Sequence, residues 1–272
     1  MSLVLYRDGK GLGDDLFLTA IARDLAREGK KPWVSTNRPE LWKNNPDIRG
    51  HLPVPLMRWP SRLARRRIVS MRYEESPHQS LHYIQRLACL VGLDPGKEYT
   101  PAIYLDEPEE RYGVAHAKDA ILIQTDAKSE WTPNKNWFMD RFQEVARECL
   151  RYGRVLQVGV GDQPKLEGAE DWRNRTNLRE IASLLKAAKL FVGLEGGLMH
   201  MASATATPSI IIYGGYISPR QSGYSAQTNF YSPVECAPCL LRTPCPYEMK
   251  CMKEITADRV IAAVRAAMHG RC

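Results

Sequence analysis

Short apolar runs alternate with amphipathic helical stretches along most of the chain, and this alternation limits the fold more than any other feature. Ser2-Leu-Val-Leu-Tyr6 reads as a buried strand that enters a glycine-rich turn, Arg7-Asp-Gly-Lys-Gly-Leu-Gly-Asp14. A helix follows, with Phe17, Ala20, Ile21 and Leu25 at three- and four-residue spacing and Gly29 as its stop. Lys31 to Thr36 reads as the next strand, and Arg38 to Asn44 as a short helix closed by Pro46. Strand, helix and strand in such close succession make a βαβ unit, which requires a parallel sheet.

A second alternation occupies the later half. Strands are expected at Ala120–Thr125, Val155–Val160, Leu190–Val192 and Ser209–Tyr213. Helices are expected at Phe138–Tyr152 and Leu178–Ala188, from Gly196-Gly197 onward, and at Thr256–Met268. Between the halves, Tyr99 to Tyr112 is rich in proline and acids and reads as a linker, whereas Leu52 to Met71 gives no clear pattern. Gly214 to Glu254 reads as a long irregular loop. At about 100–200 residues per domain, 272 residues suit two domains, placed at 1–110 and 111–272.

Composition excludes some classes and biases others. Hydrophobic residues at 44% and charged residues at 25% exclude a disordered or collagen-like chain. No apolar run reaches the ~18–20 residues that cross a bilayer, and Met1 to Lys10 does not read as a secretory signal, so a cytoplasmic protein is expected. Lysine and arginine number 38 against 31 acids, a formal charge of +7. Such a surface attracts phosphates, nucleic acid or an anionic membrane face, or is simply a solvated positive surface.

Two turns at expected strand ends carry candidate chemistry, because open α/β sheets bind ligands beyond the carboxyl ends of their strands. The first is Gly9-Lys-Gly-Leu-Gly-Asp-Asp15. Its spacing is G-x-G-x-G, and no acid ends the second strand to hold a ribose, which disfavours a nicotinamide oxidoreductase. Asp14 stands at a helix start, where the dipole favours its ionised form; it is either a functional carboxylate or an ordinary helix cap. The second is Phe191-Val-Gly-Leu-Glu-Gly-Gly-Leu-Met-His-Met-Ala-Ser203. Gly196 and Gly197 open a helix whose free amides suit an anion such as a diphosphate, and Glu195 beside them suits sugar hydroxyls. A structural turn with a solvated Glu195 fits the same residues, and His200 reads as a packed, hydrogen-bonded histidine.

Four of the seven cysteines fall between Cys236 and Cys251 as C-x2-C-x5-C-x5-C: Cys236, Cys239, Cys245 and Cys251. Four thiolates on a proline-rich loop match tetrahedral zinc or iron, which would add folding energy there. Reduced thiols or disulfides are the alternative. Arg58, Arg62, Arg65, Arg66, Arg67 and Arg72 cluster in the first half and suit a phosphorylated glycolipid, an anionic membrane face or a nucleic acid. A solvated helix face is the plainer explanation.

These features together resemble glycosyltransferase family 9, the heptosyltransferases of lipopolysaccharide synthesis. Gly13-Asp14 with Thr19 is similar to the family's amino-terminal signature, and Trp131-Thr-Pro-Asn-Lys-Asn-Trp137 to its W-x-x-K-x-W stretch. Leu178-Arg-Glu-Ile-Ala, Glu195-Gly-Gly-Leu-Met-His-Met-Ala and Thr207-Pro are similar to its carboxyl-terminal block. The resemblance implies the GT-B fold: two Rossmann-like domains facing a cleft, acceptor on the first, nucleotide-sugar donor on the second. It implies that Asp14 is the base acting on the acceptor hydroxyl and that Lys135 neutralises the donor diphosphate. It further implies that Gly196 and Gly197 cradle the phosphate, that Glu195 stands where the family has aspartate, and that Asp162 meets the ribose. ADP-heptose and a lipopolysaccharide core are the implied donor and acceptor, with no divalent ion needed for catalysis. Some related autotransporter heptosyltransferases have a comparable four-cysteine iron site.

The chain is short for the family, and its shortening falls in the acceptor half. The usual glycine-proline after the last strand reads Gly214-Gly-Tyr-Ile-Ser-Pro219. A glycan, protein or nucleic-acid acceptor, bound through Arg62, Arg65 and Arg66, therefore stays open, as does work at the inner face of the membrane. The rival class is a nucleic-acid-associated protein with a four-cysteine zinc site; the loop lacks a following basic recognition helix.

Overall fold

The computed structural model describes residues 2–9, 11–58, 66–75, 78, 80–127 and 132–270, which form two compact units, Met1–Asp106 and Glu107–Cys272. Arg62 and Arg65 of the arginine cluster, and Trp131, lie outside the described residues.

The first unit is built on a four-stranded parallel sheet. Its elements are β1 (Ser2–Tyr6), α1 (Leu12–Arg27), β2 (Trp33–Ser35), β3 (Gly50–His51), β4 (Arg66–Ser70) and α2 (Tyr83–Val91). The strand order is β3-β2-β1-β4. The chain therefore reverses direction across the sheet between β1 and β4, which pair from Ser2↔Arg66 to Tyr6↔Ser70. α1 buries Leu16, Phe17, Leu18, Ile21 and Leu25, as its spacing predicts. Thr19 is buried, donating to the Leu16 carbonyl and accepting from Ala102 N–H at 2.9 Å, so it tethers the chain beyond α2. α2 starts with His82 and Gln85 capping each other's backbone and ends at left-handed Gly92.

The second unit comprises α3 (Glu107–Ala117), β5 (Ile121–Gln124), α4 (Met139–Leu150), β6 (Val155–Val158), β7 (Glu170–Asp171), α5 (Leu178–Ala187) and β8 (Leu190–Leu194). It continues with α6 (Gly197–Ala204), β9 (Ser209–Ile212), α7 (Pro219–Ser222), β10 (Gln227–Phe230), α8 (Lys250–Lys253) and α9 (Ala257–His269). Its parallel sheet has the order β10-β9-β8-β5-β6-β7. β5, β6, β8 and β9 are buried on both faces, which explains their predominantly apolar residues. α4 and α9 pack on one face through Phe142, Val145, Val260 and Val264. The order reverses between β5 and β8, and a ligand site is expected in that crevice.

Three stretches differ from the sequence expectation. Tyr99–Tyr112 is not wholly linker, because α3 begins at Glu107; Glu107, Glu109 and Glu110 in its first turn complement the helix dipole. Gly214–Glu254 is not wholly irregular, since it contains α7, β10 and α8. β4 lies in the patternless stretch: it is an edge strand with half-exposed residues, so it needs no apolar alternation.

Candidate active site

In the first unit the carboxyl ends of β1 and β4 are joined by one guanidinium. Arg7, immediately after β1, donates from Nη1 to the Met71 carbonyl at 2.7 Å and from Nη2 to Asp14 Oδ2 at 2.6 Å. Its guanidinium carbon lies 5.3 Å from the Tyr73 ring centroid. Asp14 folds back over Gly11, where a Cβ would collide with its carboxylate, so a larger residue there would displace Asp14 from this position. The helix-start argument favours an ionised Asp14, yet burial pushes its pKa above the usual carboxylate range, opposed by Arg7 and, more weakly, by Arg38. Its neighbour Asp15 is paired with Arg38 at 2.6 Å, and burial pushes its pKa up to about 6. Asp14 keeps 21% of its side chain exposed and Asp15 none, so of the two only Asp14 is open to a substrate.

The arginine cluster does not gather at this edge as a whole. Arg66 is the first residue of β4 and lies over Trp33, 4.5 Å from the ring centroid, at the end of the sheet opposite Asp14. Arg72 is at the Asp14 end and meets Asp8 at 3.2 Å. Sequence reasoning misses Arg7 and Arg38. Their signal was position alone, since each directly follows or closely follows a strand at the carboxyl edge.

In the second unit, Glu195 leaves the carboxyl end of β8 and is held through its N–H to Ile212 O at 3.2 Å. Lys135 comes from a turn beyond β5 and reaches Glu195 Oε2 in ion-pair contact without hydrogen-bond alignment. Its ammonium also lies 4.8 Å from the Tyr216 ring centroid, a cation–π distance. The Lys135 turn is fixed by Thr132 and Asn134, which donate to the carbonyls of Leu241 and Thr243 at 2.7–2.9 Å. Trp137 anchors the same segment to Ile255 O at 2.9 Å from within the core.

Gly196 has φ 155° and ψ −161°, conformational space open almost only to glycine, and it leads into α6, whose first amides have no side-chain cap. The structure thus brings Lys135, Glu195, Gly196 and Gly197 together at the crevice between β5 and β8. Asp162 is exposed in the loop after β6. Asp126, which sequence reasoning misses, is buried at the end of β5, and burial with the nearby Asp162 charge raises its pKa. His200 is buried and hydrogen-bonded to Tyr224 Oη at 2.9 Å.

Cys236, Cys239, Cys245 and Cys251 are free thiols that line one small cavity with Asn134, Gly215 and Tyr216. Gly215 N–H points at Cys251 Sγ at 3.1 Å and Tyr247 N–H at Cys245 Sγ at 3.4 Å. Among the described residues, however, no three His, Cys, Asp or Glu side chains come together closely enough to hold an ion. The cavity is a gathering of thiols rather than a formed coordination sphere. Among the same residues no helix is long and apolar enough to cross a membrane.

The model of glycosyltransferase family 9 (heptosyltransferase) matches residues 57–250, most of the chain. Lipooligosaccharide heptosyltransferase 2 of Campylobacter jejuni is 22% identical over 147 residues, 48% of this chain and 46% of that protein. Lipopolysaccharide heptosyltransferase 1 of Pseudomonas aeruginosa is 27% identical over 128 residues, 42% of this chain and 35% of that protein. The matched region thus spans less than half of each curated relative. Among solved structures, the iron-containing dodecameric glycosyltransferase TibC from enterotoxigenic E. coli H10407 superposes with a TM-score of 0.77 at 19% identity, covering 100% of this chain and 77% of that one. TibC in complex with ADP-D-beta-D-heptose gives 0.74 at 18%, covering 99% and 76%. At these identities the likeness establishes the fold, the paired parallel α/β architecture of GT-B heptosyltransferases expected from the sequence.

Proposed function

Because the chain belongs to glycosyltransferase family 9, the heptosyltransferases, we propose that it moves a heptose from ADP-heptose to a hydroxyl of an anionic glycan, a lipopolysaccharide core, with inversion at the anomeric carbon. Asp14 takes the proton from the acceptor hydroxyl as that oxygen attacks the anomeric carbon, and the bond to the diphosphate oxygen breaks. ADP leaves with its new negative charge facing Lys135 and the first amides of α6, which are oriented before the reaction. Glu195 accepts hydrogen bonds from sugar hydroxyls, and Asp162 from the ribose. Arg62 and Arg65 meet anionic groups of the acceptor. The formal charge of +7 suits work in the cytoplasm at the inner, anionic face of the membrane.

The observation that carries this assignment is the position of Lys135 against Glu195, next to Gly196 and the start of α6, at the switch point of the second sheet. Calorimetry with ADP and ADP-heptose, followed by transfer assays with a lipopolysaccharide core, a protein and an oligonucleotide as acceptors, tests it. Asp14→Asn is expected to keep ADP binding and to lose transfer by roughly 10²–10⁴-fold. Full transfer by that variant discards the base. NMR of the product's anomeric proton reads the stereochemistry.

We further propose that the four-cysteine loop takes zinc or iron in a structural role. The four thiols in the lining of one cavity and the two amide N–H groups aimed at Cys251 and Cys245 sulfurs suit thiolate ligands.

A further inference from the structure

We propose that Arg7 is the positioning residue of Asp14, a role that rests on the assignment of Asp14 as base: one guanidinium, anchored across the switch point of the first sheet, fixes the direction and the charge of that carboxylate.

Arg7 is buried, and its two terminal nitrogens have separate duties. Nη1 is bound to the Met71 carbonyl just beyond β4, and Nη2 is bound to Asp14 Oδ2 in the first turn of α1. Because β1 and β4 are neighbours in the sheet, the guanidinium plane is fixed by two strands before it reaches Asp14. Tyr73, in the turn after β4, offers its ring to the same cation at 5.3 Å. The planar fork lets one side chain serve both partners, which an ammonium does not reproduce.

The other charged groups around Asp14 do not replace this contact. Arg38, beyond β2, is bound to Asp15, the next residue of α1, and acts on Asp14 only at longer range. Glu74, beside Tyr73, works against ionisation, and Tyr73 itself titrates far above neutral pH because it is buried near Asp14 and Glu74. Burial and Glu74 thus favour the neutral acid, and among the described residues Arg7 is the cation directly bonded to the carboxylate that opposes them.

The experiment is a carboxyl 13C titration of the full chain labelled at aspartate, with Asp14→Asn to assign the Asp14 signal, in wild type, Arg7→Gln and Arg7→Lys. The pH dependence of kcat/KM for ADP-heptose and a lipopolysaccharide core acceptor is measured in the same proteins. In Arg7→Gln the Asp14 midpoint is expected to rise by about 1 pH unit or more, because an opposite charge at this distance is gone, and the acid limb of kcat/KM rises with it. In Arg7→Lys the midpoint stays near that of wild type while kcat falls roughly 10–100-fold, because the carboxylate is no longer held in direction. An unmoved midpoint in folded Arg7→Gln overturns the proposal; so does wild-type kcat in Arg7→Lys, which decides the matter if Arg7→Gln does not fold. A midpoint that moves while wild type itself transfers nothing supports the electrostatic hold and sinks only the assignment of Asp14 as base.

Discussion

The Lys135 ammonium is already neutralised within its own site by Glu195, and both side chains are largely shielded, at 15% and 7% exposure. On the proposed assignment, a donor diphosphate shares the lysine with a carboxylate one methylene longer than aspartate. Glu195→Gln is therefore expected to bind ADP several-fold more tightly. Lys135→Ala is expected to bind it roughly 10–100-fold more weakly, the size of a hydrogen bond to a charged group. Lys135→Ala also strands Glu195 without its cation, so its melting temperature falls. The double variant Lys135→Ala/Glu195→Gln separates the two effects: it should regain stability without regaining affinity. Calorimetry with ADP and thermal melts read both, and unchanged ADP affinity in Lys135→Ala removes the lysine from the donor site.

Asp15 predicts a pH signature of stability. It is fully buried against Arg38 with a pKa raised from 3.8 to about 6, so between those values the folded chain holds a proton that the unfolded chain has released. Stability then falls as pH rises from about 4 to about 6, by up to about 3 kcal/mol from this one group. The cost is fully present above that window and absent below it. In Asp15→Asn this falling component is expected to disappear from the difference in unfolding free energy between pH 4 and pH 7. A variant with the wild-type slope would place the titration elsewhere. Asp14 is a poor control here because its raised pKa acts in the same direction.

How much of this was legible in the sequence depended on burial and order. β1, α1, β5, β8 and α6 could be read because their residues are buried on the expected faces and punctuated by glycine. Glu195 with Gly196 and Gly197 could be read for the same reason, as the end of one strand and the start of one helix. That Lys135 touches Glu195 could not, because it depends on β5 lying beside β8, an order that local pattern does not contain. Arg7 was hidden likewise: its partner Asp14 is near in sequence, but its anchor Met71 is 64 residues away. β4 escaped because Arg66-Arg-Ile-Val-Ser70 is an edge strand that satisfies no apolar period. Glu107-Pro-Glu-Glu110 read as linker because proline and acids mark both loops and first helical turns, and α3 takes the second option.

The cysteine loop predicts a metal content. Elemental analysis of purified protein should find close to one zinc or iron per chain, and chelation should lower the melting temperature. Cys245→Ser should lose the metal, because Cys245 is one of the two sulfurs that receive an amide N–H. Cys149→Ser should keep it, since Cys149 is buried on α4 and does not line the loop's cavity, its thiol pushed up to about 12 by burial. Protein free of both metals, with Cys245→Ser melting like wild type, rejects the metal and leaves four reduced thiols.

Gly196 allows a test of the helix start that does not depend on charge. A Cβ there would meet nothing within 4 Å, so any effect of Gly196→Ala arises from its backbone angles rather than from a clash. Alanine at φ 155° costs about 1–3 kcal/mol unless the peptide turns. If it turns, the first amides of α6 no longer point where the diphosphate is expected, and ADP affinity falls. Gly92 supplies the control. It ends α2 at φ 77°, also with open space around a Cβ, so Gly92→Ala strains the backbone in the other unit. Both variants should melt earlier than wild type, yet only Gly196→Ala should bind ADP more weakly by calorimetry. Equal ADP affinity in the two would take the α6 amides out of the donor site and leave Lys135 alone to hold the leaving group.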